Sequence, residues 1–154
     1  YTALSYTWGD PTVTKEILVN GKPLQVTTNL ESALRHLRQS DDAFVLWVDA
    51  VCINQKDNVE EKNSQIVQMG AIYRSAAVVL LWLGDGDPES DMTFHIYKKQ
   101  ASMVQRSRDI DVPIPPEILS PAKDALKSPA VMRALFETFD RPWFHRLWTI
   151  QEMV

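Results

Sequence analysis

The chain has 154 residues, a formal net charge of −4 and a hydrophobic fraction of 45%. This length and composition predict one globular domain over residues 1–154 and exclude a disordered tail or a fibre. The acidic balance disfavours nucleic-acid binding, which needs a dense positive face. A single cysteine excludes an internal disulfide and predicts a reducing, cytoplasmic location. The longest apolar run, Ala76–Leu83, is too short for a membrane span.

The first predicted elements are a strand and a hairpin. Tyr1–Tyr6 is aromatic and β-prone, and the Trp8-Gly9-Asp10-Pro11 segment ends it in a turn. Glu16–Asn20 and Leu24–Thr27 flank Asn20-Gly21, a pair whose tolerance of positive φ favours a tight turn. The pattern therefore predicts a β-hairpin inserted after strand one.

A helix and a second sheet strand follow. Asn29 is the predicted N-cap of a helix in which three leucines, four and three residues apart, share one face (Leu30, Leu34 and Leu37). Phe44–Val48 is a continuous apolar run, typical of a strand buried on both faces. Asp49–Lys56 is predicted to be a loop, within which Cys52 is expected to be buried and unreactive.

The third strand completes the α/β pattern. Asp57 or Asn58 is the predicted cap of a helix that runs to about Arg74. Ala77–Leu83 is a second apolar run of strand length, and glycines, aspartates and Pro88 follow it. Buried strands that alternate with helices predict a parallel sheet flanked by helices.

The last third of the chain has a weaker pattern. Ser90–Gln105 is predicted to be helical, and Asp109–Pro121 contains four prolines and is predicted to be a loop. Apolar residues then return to helical spacing, at Met132, Leu135, Phe136 and Phe139. Arg141–Val154 is predicted to be a helix with Pro142 in its first turn.

The common catalytic motifs are absent from the sequence. It contains no GxGxxG, GxxxxGK[ST], HExxH, CxxC or GxSxG pattern, which disfavours the usual dinucleotide folds, P-loop NTPases, zinc proteases and α/β-hydrolases. Its three histidines (His36, His95 and His145) lie at no metal-ligand spacing, so no metal site is predicted.

Polar and aromatic residues follow the predicted strands, and ligands of open parallel sheets bind beyond the carboxyl ends of the strands. These candidate binding residues are Ser5, Tyr6, Trp8, Gly9 and Asp10 after strand one, and Asp49, Asn54 and Gln55 after strand two. Ordinary turn chemistry explains the same residue types equally well.

The C-terminal segment carries a second candidate. Trp148 and Glu152 are four residues apart and would share one face of a helix. A carboxylate beside an indole in a partly dry cleft is a plausible catalytic environment. The alternative is an amphipathic helix with buried aromatic residues and a solvated Glu152.

Four blocks of this sequence resemble the fungal heterokaryon-incompatibility (HET) domain, in the family's order. They are Tyr1–Asp10, Leu46–Gln55, Gln65–Tyr73 with Trp82-Leu83-Gly84, and Arg141–Phe144 with Trp148–Glu152. The resemblance implies a fungal effector domain of regulated cell death, part of a longer multidomain protein that associates with itself and with its neighbouring domains. It further implies a distant relationship to TIR domains and thus a flavodoxin-like parallel sheet, with the hairpin after strand one and a variable helical insert before the C-terminal helix.

Many TIR domains hydrolyse NAD at the nicotinamide–ribose bond when they self-associate, so the resemblance implies NAD as substrate and no cofactor. The WxxxE spacing of Trp148 and Glu152 gives Glu152 the catalytic role, with Glu60 and Glu61 as the fallback acids. Trp8 or Tyr6 would stack on a ring, and Ser5 and Gly9 would hold the diphosphate. Asp49 would order this edge of the sheet or bind ribose, and cations from a neighbouring copy would assist.

Two other functions fit the same residues. In a non-catalytic adaptor that signals by recruiting partners, Asp49, Asn54 and Gln55 would hold loops together, and the segment ending at Glu152 would form core or interface. A nucleotide-sensing domain would bind its ligand without cleaving it.

Overall fold

The structure, a computed structural model, describes residues 1–38, 43–55, 59–109, 127–147 and 152. The chain divides into an α/β unit, Tyr1–Asp85 with Pro142–Val154, and a helical unit, Gly86–Arg141. The strands are β1 (Thr2–Tyr6), β2 (Thr14–Val19), β3 (Lys22–Thr27), β4 (Leu46–Trp47) and β5 (Val78–Trp82). The helices are α1 (Thr28–Leu37), α2 (Asp49–Cys52), α3 (Val59–Ser75), α4 (Pro88–Asp109) and α5 (Pro129–Phe139), and Pro142–His145 forms a 3₁₀ turn.

A parallel three-stranded sheet organises the α/β unit. Its order is β4-β1-β5, so the first strand lies between the two later ones. That placement is compatible with a flavodoxin-like arrangement, and the predicted parallel α/β sheet is confirmed. The predicted hairpin is also confirmed: β2 and β3 pair antiparallel around Asn20 and Gly21, with φ of 52° and 74°.

Successive side chains of β1 point to opposite faces of the sheet, and a helix packs on each face. Leu4 and Tyr6 belong to a core cluster with Val26 of the hairpin and Leu30 of α1. Ala3 points to the other face, in a cluster with Met69 and Tyr73 of α3 and with Ile53. β1 is therefore buried on both sides, and its carboxyl end emerges between two packed layers.

The flanking strands are less buried than their apolar runs predict. The predicted strand Phe44–Val48 is observed only over Leu46–Trp47, with Val45 73% exposed, and the run Ala77–Leu83 is observed over Val78–Trp82, with Val78 52% exposed. The prediction of two-sided burial was wrong because, in the described sheet, each of these strands pairs with β1 alone.

Local predictions around α1 and α2 need correction. Thr27, not Asn29, caps α1, because its Oγ1 accepts from Leu30 N at 3.5 Å. Asn29 instead donates to Thr7 O and accepts from Trp82 Nε1 at 2.9 Å, which joins the carboxyl ends of β1 and β5.

The segment predicted as loop over Asp49–Lys56 begins with the helical turn α2, in which Ile53 N bonds Asp49 O at 3.0 Å. Cys52 lies at the end of this surface turn and is exposed, so its predicted burial was wrong. The predicted caps of the next helix, Asp57 and Asn58, lie outside the described residues.

The helical unit contains α4 and α5, which confirm the helices predicted around Ser90–Gln105 and Met132–Phe139. The two helices pack against each other, with Tyr97 and Phe139 edge to face at a ring-centre distance of 6.5 Å. Apart from Asp109, the last residue of α4, the loop predicted over Asp109–Pro121 lies outside the described residues. None of the helices in the described ranges is apolar and long enough to cross a bilayer.

The C-terminal segment does not continue as a helix from Pro142. Pro142–His145 is a 3₁₀ turn, and Arg146 and Leu147 are not helical. Residues three apart eclipse one another in a 3₁₀ turn, and Arg146 N bonds Trp143 O at 3.3 Å. The Trp143 and Arg146 side chains both reach the carboxyl end of β1, as described below.

Candidate functional site

A cavity of about 430 Å³ opens in the α/β unit where β1 and β4 end. Its volume is within the range of about 300–1,000 Å³ that is usual for small-molecule sites. Its walls include the carboxyl end of β1, the turn after β4, helix α3 and two residues of the C-terminal segment. The lining residues are Thr7, Trp8, Gly9, Asp49, Ile53, Gln55, Lys62, Ile66, Met69, Arg146 and Glu152.

Asp49 orders the outer wall of this cavity. Its Oδ2 accepts from Trp8 Nε1 at 2.8 Å, and its Oδ1 accepts from Ala50 N at 2.7 Å. The indole of Trp8 is thereby fixed while 37% of the residue stays exposed. Gly9 follows with φ of 77°, a left-handed conformation that a side chain would strain. The indole face of Trp8 therefore lies next to a left-handed backbone conformation, which glycine adopts without strain.

Glu152 lines the cavity and is 1% exposed. Arg146 donates to both of its oxygens, Nη2 to Oε1 at 2.8 Å and Nη1 to Oε2 at 3.1 Å. The hydroxyl of Ser5 also donates to Oε2, and it accepts from Trp143 Nε1 at 2.7 Å. These four residues form one buried polar network that joins β1 to the C-terminal segment. We call it the Glu152 network.

Two buried tyrosines stand beside these carboxylates. Burial first, and then the charges of Glu152 and Asp49, raise the pKa of Tyr73, whose hydroxyl donates to Leu4 O at 3.1 Å. Burial and the nearby Asp49 carboxylate raise the pKa of Tyr6. Both phenols therefore stay protonated at physiological pH. Tyr6 is only 2% exposed, so its ring packs in the core, and of the two predicted stacking residues Trp8 is the one that presents a face.

Two cationic side chains line the cavity in an otherwise acidic chain. Arg146 is held by Glu152, and Lys62 of α3 is half-buried, with no ion pair to any side chain in the described ranges. A partly desolvated ammonium attracts anions more strongly than one in bulk water. Cations from a neighbouring copy remain a prediction, and the chain itself supplies two cationic side chains to this cavity.

The structure brings together five of the predicted site residues as cavity lining: Trp8, Gly9, Asp49, Gln55 and Glu152. Ser5 reaches the cavity through its hydrogen bond to Glu152. The other predicted residues that the structure describes do not line this cavity.

Asp10 is turned to its own loop, where it accepts from the backbone and the hydroxyl of Thr12, and these bonds lower its pKa. Asn54 lines a second cavity, which shares Trp8, Ile53 and Gln55 with the first. Glu60 and Glu61 are exposed on the first turn of α3 and do not line the site. Trp148 lies outside the described residues.

Three charged or indole side chains of the site were not among the residues predicted from the sequence: Lys62, Trp143 and Arg146. Lys62 follows Glu60 and Glu61, and such a run of charged residues is typical of a solvated face, but Lys62 is four residues before Ile66 and shares its face. The sequence places an indole beside Glu152 through Trp148, and the described indole that reaches the network is Trp143. In the described part of the chain, no three His, Cys, Asp or Glu side chains cluster as metal ligands.

Fold and site together define an α/β domain with a mixed polar and apolar pocket at the carboxyl edge of its sheet. The sequence model of the family described as "Heterokaryon incompatibility protein (HET)" matches residues 1–152, so the chain belongs to the HET family. It is 34% identical over 183 aligned positions to "Heterokaryon incompatibility protein 6, OR allele" of Neurospora crassa. That match covers 99% of this chain and 27% of the relative, so the chain spans about a quarter of the relative's length. No solved structure matches it significantly.

Proposed function

We propose that this chain is the effector domain of a cytoplasmic fungal non-self recognition protein, and that on self-association it hydrolyses NAD at the nicotinamide–ribose bond. Membership of the HET family and the name of the Neurospora relative support the role in incompatibility. The pocket at the carboxyl edge of the sheet supports the enzymatic part, because open α/β sheets bind ligands there.

The observation that carries the proposal is that Glu152, a buried carboxylate, lines the same pocket as Trp8 and Lys62. Cleavage of the nicotinamide–ribose bond passes through an oxocarbenium-like state, which a fixed carboxylate stabilises. An ionised carboxylate has about four lone-pair sites. Ser5 and the two Arg146 nitrogens occupy three of them. We assign the remaining site to a ribose hydroxyl of the bound substrate.

The other walls suit the rest of the substrate. Trp8 offers an aromatic face to the nicotinamide ring, and Ile53, Ile66 and Met69 form an apolar floor. Lys62 supplies a positive charge for the diphosphate, which the chain's overall charge of −4 would otherwise repel. Nicotinamide leaves with the bonding electron pair, water adds to the ribose carbon, and the proton that this water loses passes to bulk solvent.

The test is nicotinamide release by the purified chain, both as such and fused to a tetrameric coiled coil that clusters it. We expect turnover by the clustered protein, and its loss in Glu152→Gln. Loss of one such group costs about 2–4 kcal/mol of barrier, or roughly 30- to 1,000-fold in rate.

The matched control is the double variant Glu60→Gln and Glu61→Gln, which removes two exposed carboxylates from α3. It should keep wild-type turnover, and both variants should keep the wild-type circular dichroism spectrum. Turnover that survives in Glu152→Gln and disappears in the control would contradict the assignment of Glu152 and move the site to α3.

A non-catalytic adaptor is the second candidate, and the burial of Glu152 favours it. Each hydrogen bond found for this carboxylate stays within the fold, which is how a structural tie between β1 and the C-terminal segment would look. An adaptor would release no nicotinamide even when clustered, and Glu152→Gln would leave its self-association intact. Ligand-induced thermal stabilisation without product would indicate a nucleotide sensor.

A further inference from the structure

Helix α5 carries its larger apolar side chains on the outside. The residues that it buries are smaller: Val131, Ala134 and Thr138. The four residues that the sequence places at helical spacing form a separate stripe, which we call the outer α5 stripe: Met132, Leu135, Phe136 and Phe139. The first two are partly exposed, whereas Phe136 is 69% and Phe139 is 47% exposed. A surface helix normally turns its large apolar residues to the core, so this outward stripe needs an explanation.

The surroundings of the stripe are those of a docking surface. Tyr97 of α4 is 41% exposed and lies edge to face against Phe139, which extends the apolar surface onto the neighbouring helix. A shallow cavity of about 350 Å³ lies on the same surface, and its walls include Phe136 and Glu137. Contiguous exposed apolar surface with a polar rim marks protein–protein contacts. The spacing of i, i+3, i+4 and i+7 is the one with which two helices pack along their length, so the stripe fits another helix.

The charges on one rim of the stripe indicate which helix this is. Arg133 and Glu137 are four residues apart and therefore share one side of α5, with Arg133 nearer the N-terminus. Both are exposed, and neither forms an ion pair with a side chain in the described ranges. In an antiparallel pair of α5 helices, like rims meet and their directions are opposed. Arg133 of each copy then faces Glu137 of the second copy.

We propose that the outer α5 stripe binds the same stripe of a second copy of this chain, in an antiparallel pair with two-fold symmetry. The symmetry provides each contact twice, so the apolar stripe is covered and two Arg133–Glu137 pairs form. Helix α5 has only 11 residues, and such a small contact predicts a weak dimer with a Kd of about 10–100 µM. The inference rests on the self-association in the proposed function and names the surface that provides it.

The first test measures dimerisation of the chain by sedimentation velocity, over a concentration series that extends well above the expected Kd. Phe136→Ser removes one ring from each side of the contact. It should weaken the dimer at least about a hundredfold, so that the variant stays monomeric throughout. Leu18→Ser is the matched control, because Leu18 of β2 is 71% exposed, and it should dimerise as the wild type does. Circular dichroism checks that each variant is folded.

The second test exchanges the rim charges. Arg133→Glu and Glu137→Arg each place like charges opposite one another at both symmetric positions, which should weaken the dimer about tenfold. Mixed in equal amounts, the two variants should form a heterodimer about as tight as the wild-type dimer, since each new charge then faces its opposite. Glu60→Arg reverses an exposed charge on α3 and is the matched control, with wild-type dimerisation.

Three outcomes would overturn the proposal. They are a wild-type chain that stays monomeric, which would leave the stripe to a different protein, a Phe136→Ser variant that dimerises normally, and a mixture of the two charge variants no tighter than either alone. Failure of the proposed function is distinguishable, because the coiled-coil fusion clusters the chain without α5. An active fusion of a monomeric chain would retain the enzyme and remove this surface. A dimer that depends on Phe136, with no nicotinamide release from the fusion, would retain the surface and remove the enzyme.

Discussion

The α/β unit and the helical unit bury different kinds of polar side chain. In the α/β unit the described buried polar residues are Ser5 and two carboxylates, Glu31 and Glu152. Each carboxylate is held by an arginine, Glu31 by Arg35 and Glu152 by Arg146, and Lys15 adds a contact of 3.0 Å to Glu31. Buried charges are expensive and need such partners.

The helical unit buries hydroxyls in place of charges. Ser90, Thr93 and Thr138 are its described buried polar residues. Ser90 bonds the backbone and side chain of Asp87, and Thr138 donates to Ala134 O at 2.7 Å, one turn earlier on the same helix. These bonds lie at the start of α4 and within α5. In the described residues, the α/β unit therefore buries paired charges, one of which lines the candidate site, whereas Ser90 and Thr138 of the helical unit bond within their own helical segments.

The largest expected effect comes from removing the arginine of the Glu152 network. In Arg146→Met the Glu152 carboxylate stays buried without its charged partner, and breaking such a pair typically costs about 3–5 kcal/mol. Urea unfolding followed by tryptophan fluorescence measures the change in the free energy of unfolding.

Arg133→Met is the matched control, because Arg133 is exposed on α5 and a surface substitution changes stability by less than about 0.5 kcal/mol. The double variant Arg146→Met with Glu152→Gln should recover part of the loss, since it removes the unpaired charge. A loss below about 1 kcal/mol for Arg146→Met would mean that the pair behaves as a solvated surface ion pair.

Removal of the hydroxyl that links β1 to this network should have a smaller effect. Ser5→Ala leaves Trp143 Nε1 without its acceptor and takes one donor from Glu152. An unsatisfied buried group costs about 1–3 kcal/mol, and the same unfolding experiment measures it. Ser75→Ala, at the exposed end of α3, is the control and should be neutral. Equal stability of both variants would show that water replaces the Ser5 hydroxyl.

Local patterns predicted much of the α/β unit. The apolar runs located β4 and β5, and Asn20-Gly21 located the hairpin, because hydrophobic runs and turn geometry are set by residues close in sequence. Sequence could not reveal that β4 and β5 pair with β1 alone, since a continuous apolar run also fits a strand with neighbours on both sides. The excess exposure of Val45 and Val78 follows from that arrangement.

The site was predictable where chain topology brings residues together. Trp8 and Asp49 follow neighbouring parallel strands, so their approach to 2.8 Å follows from the strand order. The partners of Glu152 were not predictable, because Ser5 lies 147 residues away and Arg146, six residues away, would lie on a different face of the predicted helix. No local pattern indicates which arginine turns inward.

The smallest expected effect on stability is in the helical unit. There, one substitution separates the contribution of charge from that of hydrogen bonding. Asp87 accepts from Ser90 N at 2.7 Å at the start of α4, and Arg141 contacts its Oδ2. The backbone N–H of Ser90 first, and the charge of Arg141 with it, hold the pKa of Asp87 below its ordinary value of 3.8. A depressed folded-state pKa means that Asp87 stabilises the fold above its ordinary pKa, and that this stabilisation is lost as the pH falls through the folded-state value.

Asp87→Asn keeps an oxygen that can cap the helix and removes the charge. We therefore expect the variant to melt below the wild type at pH 7, and the difference in Tm to shrink as the pH falls from 4 toward 2. In 1 M salt the difference at pH 7 should also shrink, since salt screens the exposed Arg141 contact. A Tm difference that is equal at pH 7 and pH 2 would assign the role of Asp87 to capping geometry alone. The contrast with the α/β unit would then be complete, because no carboxylate charge would contribute to the stability of the helical unit at this position.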